Sequence, residues 1–121
     1  MKTIKLFLDD VRNPPDDTWI TVRSVRELIG WIELAYYEEN IITHLSLDND
    51  MGENELEGRK VVDYLEEKMY YMFYNRHTPY RLRFFPREIT VHSANPVAKQ
   101  AMMQGILNIE RMFREMKDVI C

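Results

Sequence analysis

Four aspartates carry the strongest chemical signal in this 121-residue chain. Asp9 and Asp10 end the apolar run Ile4 to Leu8, and Asp48 and Asp50 end the run Ile41 to Leu47. One aspartate after a strand is explained by turn propensity, because its side chain caps local amides. Turn propensity alone does not predict acidic pairs after both runs. If the two runs are neighbours in a parallel sheet, their carboxylates converge at one edge, where crowded like charges repel. A cation relieves that repulsion, and an all-oxygen donor set favours Mg²⁺, or Mn²⁺, over softer metals. Asp9, Asp10, Asp48 and Asp50 are therefore the expected metal ligands.

A second group faces them. The run Glu88 to Ser93 reads as a strand that ends in His92-Ser93 and leads into Ala94-Asn95, and Asn95-Pro96 has the pattern of a helix N-cap followed by proline at the first position. A helix start offers backbone amides and the positive end of a dipole, which suit a phosphate. Ser93 can hydrogen-bond a phosphoryl oxygen, His92 can carry a proton near neutral pH, and Arg12 can neutralise the same anion. Each has a plainer alternative: His92 as a satisfied strand histidine, Asn95 as a cap only, Arg12 as a solvated loop charge. His44 and His77 form no ligand spacing with another His or Cys, which disfavours zinc. The four glycines, at 30, 52, 58 and 105, form no phosphate loop or dinucleotide fingerprint.

These residues need elements to hold them in place. A short β-like run, Trp19 to Arg23, precedes Ser24, which with Glu27 makes a capping-box pattern. Val25, Leu28, Ile29, Ile32, Ala35 and Tyr36 then recur at helical spacing. Val61, Val62, Leu65, Met69, Met72 and Phe73 predict a second helix over Gly58 to Tyr74, and Val97 to Met116 a third, running to about Lys117 with Gly105 as an interior weak point. Asn75 to Arg87, with Arg76, His77, Arg81, Arg83 and Arg87 among Tyr80, Phe84 and Phe85, is a basic-aromatic loop. It could contact single-stranded nucleic acid, or be a solvated connector anchored by Phe84 and Phe85. Strands alternating with helices require crossovers, hence a mainly parallel sheet of about four strands flanked by helices. In such α/β sheets ligands sit beyond the carboxyl ends of the strands.

Composition bounds the rest. At 45% hydrophobic residues the chain can fill one core, so residues 1–121 are expected to form a single domain. A formal charge of −4 argues against broad DNA binding and against anionic membranes. The only cysteine, Cys121, cannot form an internal disulfide, and no signal peptide or membrane-length apolar run occurs. A cytoplasmic location follows as the expectation.

The segments KLFLDDVRNPP, LSLDNDMG and ITVHSANP resemble the cyclic-phosphate processing receiver-like family, a divergent branch of response-regulator receiver domains. The resemblance spans roughly residues 4 to 100. It implies a three-layer flavodoxin-like core and a metal-dependent role on phosphate esters, including cyclic phosphates. By that resemblance Asp9 and Asp10 correspond to the acidic metal pair, Asp48 to the phospho-accepting aspartate and Ser93 to the phosphoryl-sensing hydroxyl. Asp50 adds a carboxylate where ordinary receivers use a backbone carbonyl. Their last strand with its phosphate-binding lysine has no counterpart here. Asn49 stands where the narrower family commonly has histidine, and an acid after the helix-starting glycine is replaced near Lys60.

The leading expectation is a metal-dependent phosphoesterase acting on a phosphate ester, a cyclic phosphate of a nucleotide or an RNA end being one candidate. In it Asp48, His92 and Ser93 are catalytic, and Arg12 and Asn95 bind phosphate. The nucleophile is Asp48 or water. The alternative is a non-catalytic receiver-like module that binds a metal or a phosphorylated or protein partner through the same pocket.

Overall fold

The computed structural model describes residues 2–74 and 85–120, with side chains to Met116. The elements follow the alternation of the sequence: β1 (Thr3–Leu8), β2 (Ile20–Val22), α1 (Val25–Tyr37), β3 (Ile41–Leu47), α2 (Arg59–Tyr74), β4 (Glu88–Val91) and α3 (Pro96–Ile120). The strands form one sheet in the order β2-β1-β3-β4, parallel throughout. This is a flavodoxin-like receiver α/β fold.

Register sorts the side chains into rows. Leu6, Ile20, Leu45 and Ile89 lie side by side, as do Leu8, Val22, Leu47 and Val91. Both rows join the apolar core with Val25, Leu28 and Ile32 of α1, Val61, Leu65 and Met69 of α2, and Met102, Ile106 and Ile109 of α3. The intervening rows are different in kind: Phe7, Thr21, Ser46 and Thr90, then Lys5, His44 and Glu88. Thr90 and Glu88 are exposed, and among the described residues no helix covers that face at β4.

Connection handedness explains the asymmetry. The crossovers β2-α1-β3 and β3-α2-β4 step across the sheet in the same direction, and right-handed crossovers in one direction place their helices on one face. The step from β1 to β2 runs the other way, through segment 9–19 without a helix. From that segment Trp19 packs edge-on against Phe7, with ring centroids 6.0 Å apart. The expected flanking helices thus gather on one side, and on the other a loop and an aromatic strip stand in for a helical layer.

Local chemistry sets the helix starts. Ser24 Oγ accepts from the Glu27 amide at 3.2 Å, and Asn95 Oδ1 accepts from the amides of Val97 and Ala98, each at 3.1 Å. The start of α2 is capped from afar, by Asn49 Oδ1 accepting from the Arg59 amide at 3.1 Å. Gly105 allows close packing of α3 on α2, since a Cβ there would lie 2.6 Å from Val62 Cγ1. The third helix continues past Lys117 to Ile120, as no glycine or proline follows to stop it. Of the basic-aromatic segment, residues 75–84 lie outside the described residues, as does Cys121. Phe85 is buried in the core, and the Arg87 amide donates to the Ile42 carbonyl at 3.1 Å. No helix of the described residues is long and apolar enough to cross a membrane.

Candidate functional site

The strand ladder continues one residue beyond its regular ends. The amide of Asp9 donates to Val22 O at 3.1 Å, that of Asp48 to Leu8 O at 3.0 Å, and that of His92 to Leu47 O at 2.9 Å. Because Leu8, Leu47 and Val91 are in register, the next residues of the three strands form a row of their own, at the carboxyl edge. One carboxylate oxygen each from Asp9 and Asp48 and one ring nitrogen of His92 lie within 4.8 Å of one another.

Asp9 is wholly buried and its oxygens are fully engaged. Oδ1 accepts from the amides of Val11 at 3.0 Å and Arg12 at 2.8 Å. Oδ2 meets Arg12 Nε at 3.1 Å and His92 Nε2 at 3.0 Å. Burial alone raises its pKa, but these donors together outweigh it and hold the carboxyl below its ordinary value. Asp48 shifts the other way, as burial and the neighbouring Asp9 charge push it up against its own Asn49 amide and the Arg12 guanidinium. Arg12 Nη2 stands 3.7 Å from Asp48 Oδ1, so one guanidinium spans both acids.

An open cavity of about 900 Å³ lies above this row, and its lining includes Asp10, Arg12, Asp48, Asp50, Ser93 and Asn95. The two aspartate pairs therefore meet at one place, but with a division of labour. Asp10, Asp48 and Asp50 line the cavity, whereas Asp9 lies beneath it and organises its floor. Among the described residues no hydrogen bond or ion pair engages the Asp10 carboxylate, while Asp50 Oδ1 closes a turn with the Gly52 amide at 3.2 Å. Three oxygen-donor side chains on one cavity, one without a partner and one with a raised pKa, suit a hard divalent cation.

Two expectations change in detail. The amides opening α3 are not free for an anion: Pro96 has none, Val97 and Ala98 donate to Asn95 Oδ1, and Lys99 donates to Asn95 O. Ser93 Oγ accepts from the Asn95 amide at 3.1 Å and keeps its hydroxyl proton to donate. His92 does not line the cavity. Its ring stacks on Phe7, with centroids 4.3 Å apart, and its nitrogens meet Ser46 Oγ at 2.7 Å and Asp9 Oδ2 at 3.0 Å. His44 sits elsewhere on the helix-free face, 3.0 Å from Glu88.

The family model of the cyclic-phosphate processing receiver domain matches residues 4–108. The chain belongs to that family. Neither the curated proteins nor the solved structures yield a match. This cyclic-phosphate processing receiver domain carries several site residues that spacing alone did not single out. Arg23 Nη1 bonds the carbonyls of Asp9 at 3.2 Å and Arg12 at 2.8 Å, and Nη2 reaches Asn13 Oδ1 at 3.1 Å, stapling the acidic loop. Gly58 lets α2 approach the site, because a Cβ there would lie 1.7 Å from the Asp48 carbonyl oxygen. Asn49 is buried; besides capping α2 it donates through Nδ2 to Glu57 at 3.1 Å. Ser46 had one visible sign, a hydroxyl in a strand whose neighbours Leu45 and Leu47 are apolar.

Proposed function

We propose that this receiver domain hydrolyses phosphate esters, cyclic phosphates of nucleotides or RNA ends among them, with a divalent cation held by Asp10, Asp48 and Asp50. The observation that carries the reading is the meeting of these acids with Arg12 and Ser93 on one open cavity at the carboxyl edge of a parallel sheet. Bound there, Mg²⁺ or Mn²⁺ would offset the crowded negative charge and polarise a phosphoryl oxygen. The chain's own residues do the rest. Arg12 directs its remaining guanidinium donors to the phosphate, and the Ser93 hydroxyl donates to a non-bridging oxygen. In ring opening the nucleophile bonds to phosphorus and one ester P–O bond breaks. Attacking water gives up a proton, which passes through solvent to the departing oxygen; with Asp48 that oxygen takes its proton from solvent, and water then hydrolyses the aspartyl phosphodiester, restoring the carboxylate. Asp48 and water are the two candidate nucleophiles, and the protein's mass separates them. Attack by Asp48 leaves the whole nucleotide attached during turnover, whereas attack by water leaves the mass unchanged.

The test is hydrolysis of 2′,3′- and 3′,5′-cyclic nucleotides and of RNA with cyclic-phosphate ends, with Mg²⁺ or Mn²⁺ added. Asp10→Asn and Asp48→Ala are each expected to reduce turnover by at least about a hundredfold, the range typical for loss of a positioned catalytic group. Full activity in Asp48→Ala would remove the mechanism.

A second reading, binding without turnover, has one observation in its favour. The described cavity lining contains no histidine, since Asn49 is an α2 cap and His92 has both ring nitrogens engaged beneath it. Calorimetry showing Mg²⁺ binding with no product from any ester would select it.

A further inference from the structure

We propose that Ser46 and His92 are positioning residues: Asp9 fixes the Nε2–H tautomer of His92, the Ser46 hydroxyl holds that ring by donating to its Nδ1, and His92 so held keeps Asp9 turned so that Arg12 is aimed at Asp48. The chain of contacts runs from the helix-free face up to the cavity floor. Ser46 is buried in β3 beside Phe7 of β1, its register partner. The Phe7 ring lies nearly parallel to that of His92, at an interplanar angle of 4°, which fixes the imidazole plane. In that plane Nδ1 meets Ser46 Oγ at 2.7 Å and Nε2 meets Asp9 Oδ2 at 3.0 Å.

Hydrogen-bond chemistry then leaves one arrangement for the neutral ring. An ionised carboxylate only accepts, so Nε2 must carry the hydrogen. Nδ1 is then an acceptor, and among the described residues the Ser46 hydroxyl is the partner that donates to it. In the other tautomer, a lone pair on Nε2 would face the negative Asp9 oxygen. Asp9 passes the constraint on. Its Oδ2 also receives Arg12 Nε, and its Oδ1 receives the Val11 and Arg12 amides, so its orientation sets both the loop and the guanidinium. Neither Ser46 nor His92 lines the cavity, so both act through Asp9 and Arg12 rather than on a ligand.

The experiment has a readout that does not depend on the proposed activity. In the ligand-free protein at about pH 8.5, above the ordinary imidazole range, ¹⁵N chemical shifts report which ring nitrogen carries hydrogen. The wild type is expected to show the Nε2–H form alone. Ser46→Ala, which removes the donor with little change in volume, is expected to keep the Nε2–H form but to move the Nδ1 signal downfield, toward that of an unbonded lone pair, and Ser46→Thr to restore the wild-type shift. The second readout rests on the proposed function: Mg²⁺ affinity by calorimetry should fall about tenfold in Ser46→Ala and recover in Ser46→Thr, as for other residues that orient a metal site from behind. An Nδ1–H ring in the wild type, or an unmoved Nδ1 signal in Ser46→Ala, overturns the proposal, as does unchanged Mg²⁺ affinity in Ser46→Ala where the wild type binds the ion. A moved Nδ1 signal in a protein whose wild type binds no Mg²⁺ supports the Ser46–His92 link and sinks the metal reading instead. If Ser46→Ala does not fold, the wild-type tautomer and Ser46→Thr still decide.

Discussion

Asp9 and Asp48 are neighbours with opposite electrostatic circumstances, and the contrast gives each a different effect on stability. Asp9 is held below its ordinary value of 3.8, so its ionised form favours the folded protein. That contribution is present above the unfolded value and is lost as pH falls through the folded one. Asp48 is raised above 3.8, so its proton favours folding, and the benefit disappears as pH rises through the raised value. Near pH 7 without metal, Asp9→Asn is therefore expected to lower stability by about 2–4 kcal/mol, because it breaks charge-assisted bonds at a buried group. Asp48→Asn should raise the melting temperature under the same conditions by removing a repelled charge, while weakening Mg²⁺ binding. Melting curves of both variants across pH 3 to 8 test this; a fall in stability for Asp48→Asn at pH 7 would remove the repulsion argument. The acids themselves were visible in the sequence because they end apolar runs. Their division of labour was not, because it depends on Arg12, His92 and two backbone amides meeting Asp9 in three dimensions.

The acidic loop and the second helix reach the site by different means. Segment 9–13 is irregular backbone, yet Arg23 from the end of β2 binds two of its carbonyls and the side chain of Asn13. Replacing Arg23 by Met keeps length and apolar stem but removes these donors. Mg²⁺ affinity should fall by about tenfold, with little effect on the core and hence on the melting temperature, which calorimetry and thermal denaturation separate. Gly58 tolerates no such isolation of effects. The smallest addition, in Gly58→Ala, collides with the backbone of Asp48, so either the α2 start or the Asp48 strand end must move. A stability loss of about 1–3 kcal/mol or more together with loss of metal binding is expected, and a fully stable, binding-competent Gly58→Ala would contradict the close approach. Element type and order were legible because apolar spacing separates strands from helices, and Ser24 and Asn95 announce the helix starts they cap. The cap on α2 was not, since Asn49 lies ten residues before the amide it serves. The placement of the helices on one face was also hidden, as it follows from strand order, which local patterning does not encode.

The described residues share one apolar core on one side of the sheet. Strands β1 and β3 lie inside the sheet and β2 and β4 at its edges, while α3 packs on α2. The apolar residues of β1, β3, α1, α2 and α3 nevertheless form one contiguous cluster. If contiguity of packing sets cooperativity, loosening α3 must weaken the central strands too, though they are separated from it by a layer of side chains. Ile106→Ala tests that chain of reasoning. Ile106 is almost wholly buried, and its truncation is expected to cost about 2–5 kcal/mol. The denaturant midpoint should fall without a change in slope, as for a single transition. Amide exchange supplies the decisive comparison. The slowest amides of β1 and β3 should lose the same free energy of protection as those of α3, while the three-residue β2 stays the least protected strand. Faster exchange confined to α3 would mean that this helix opens by itself, and the core would then be two cooperative units where packing predicts one.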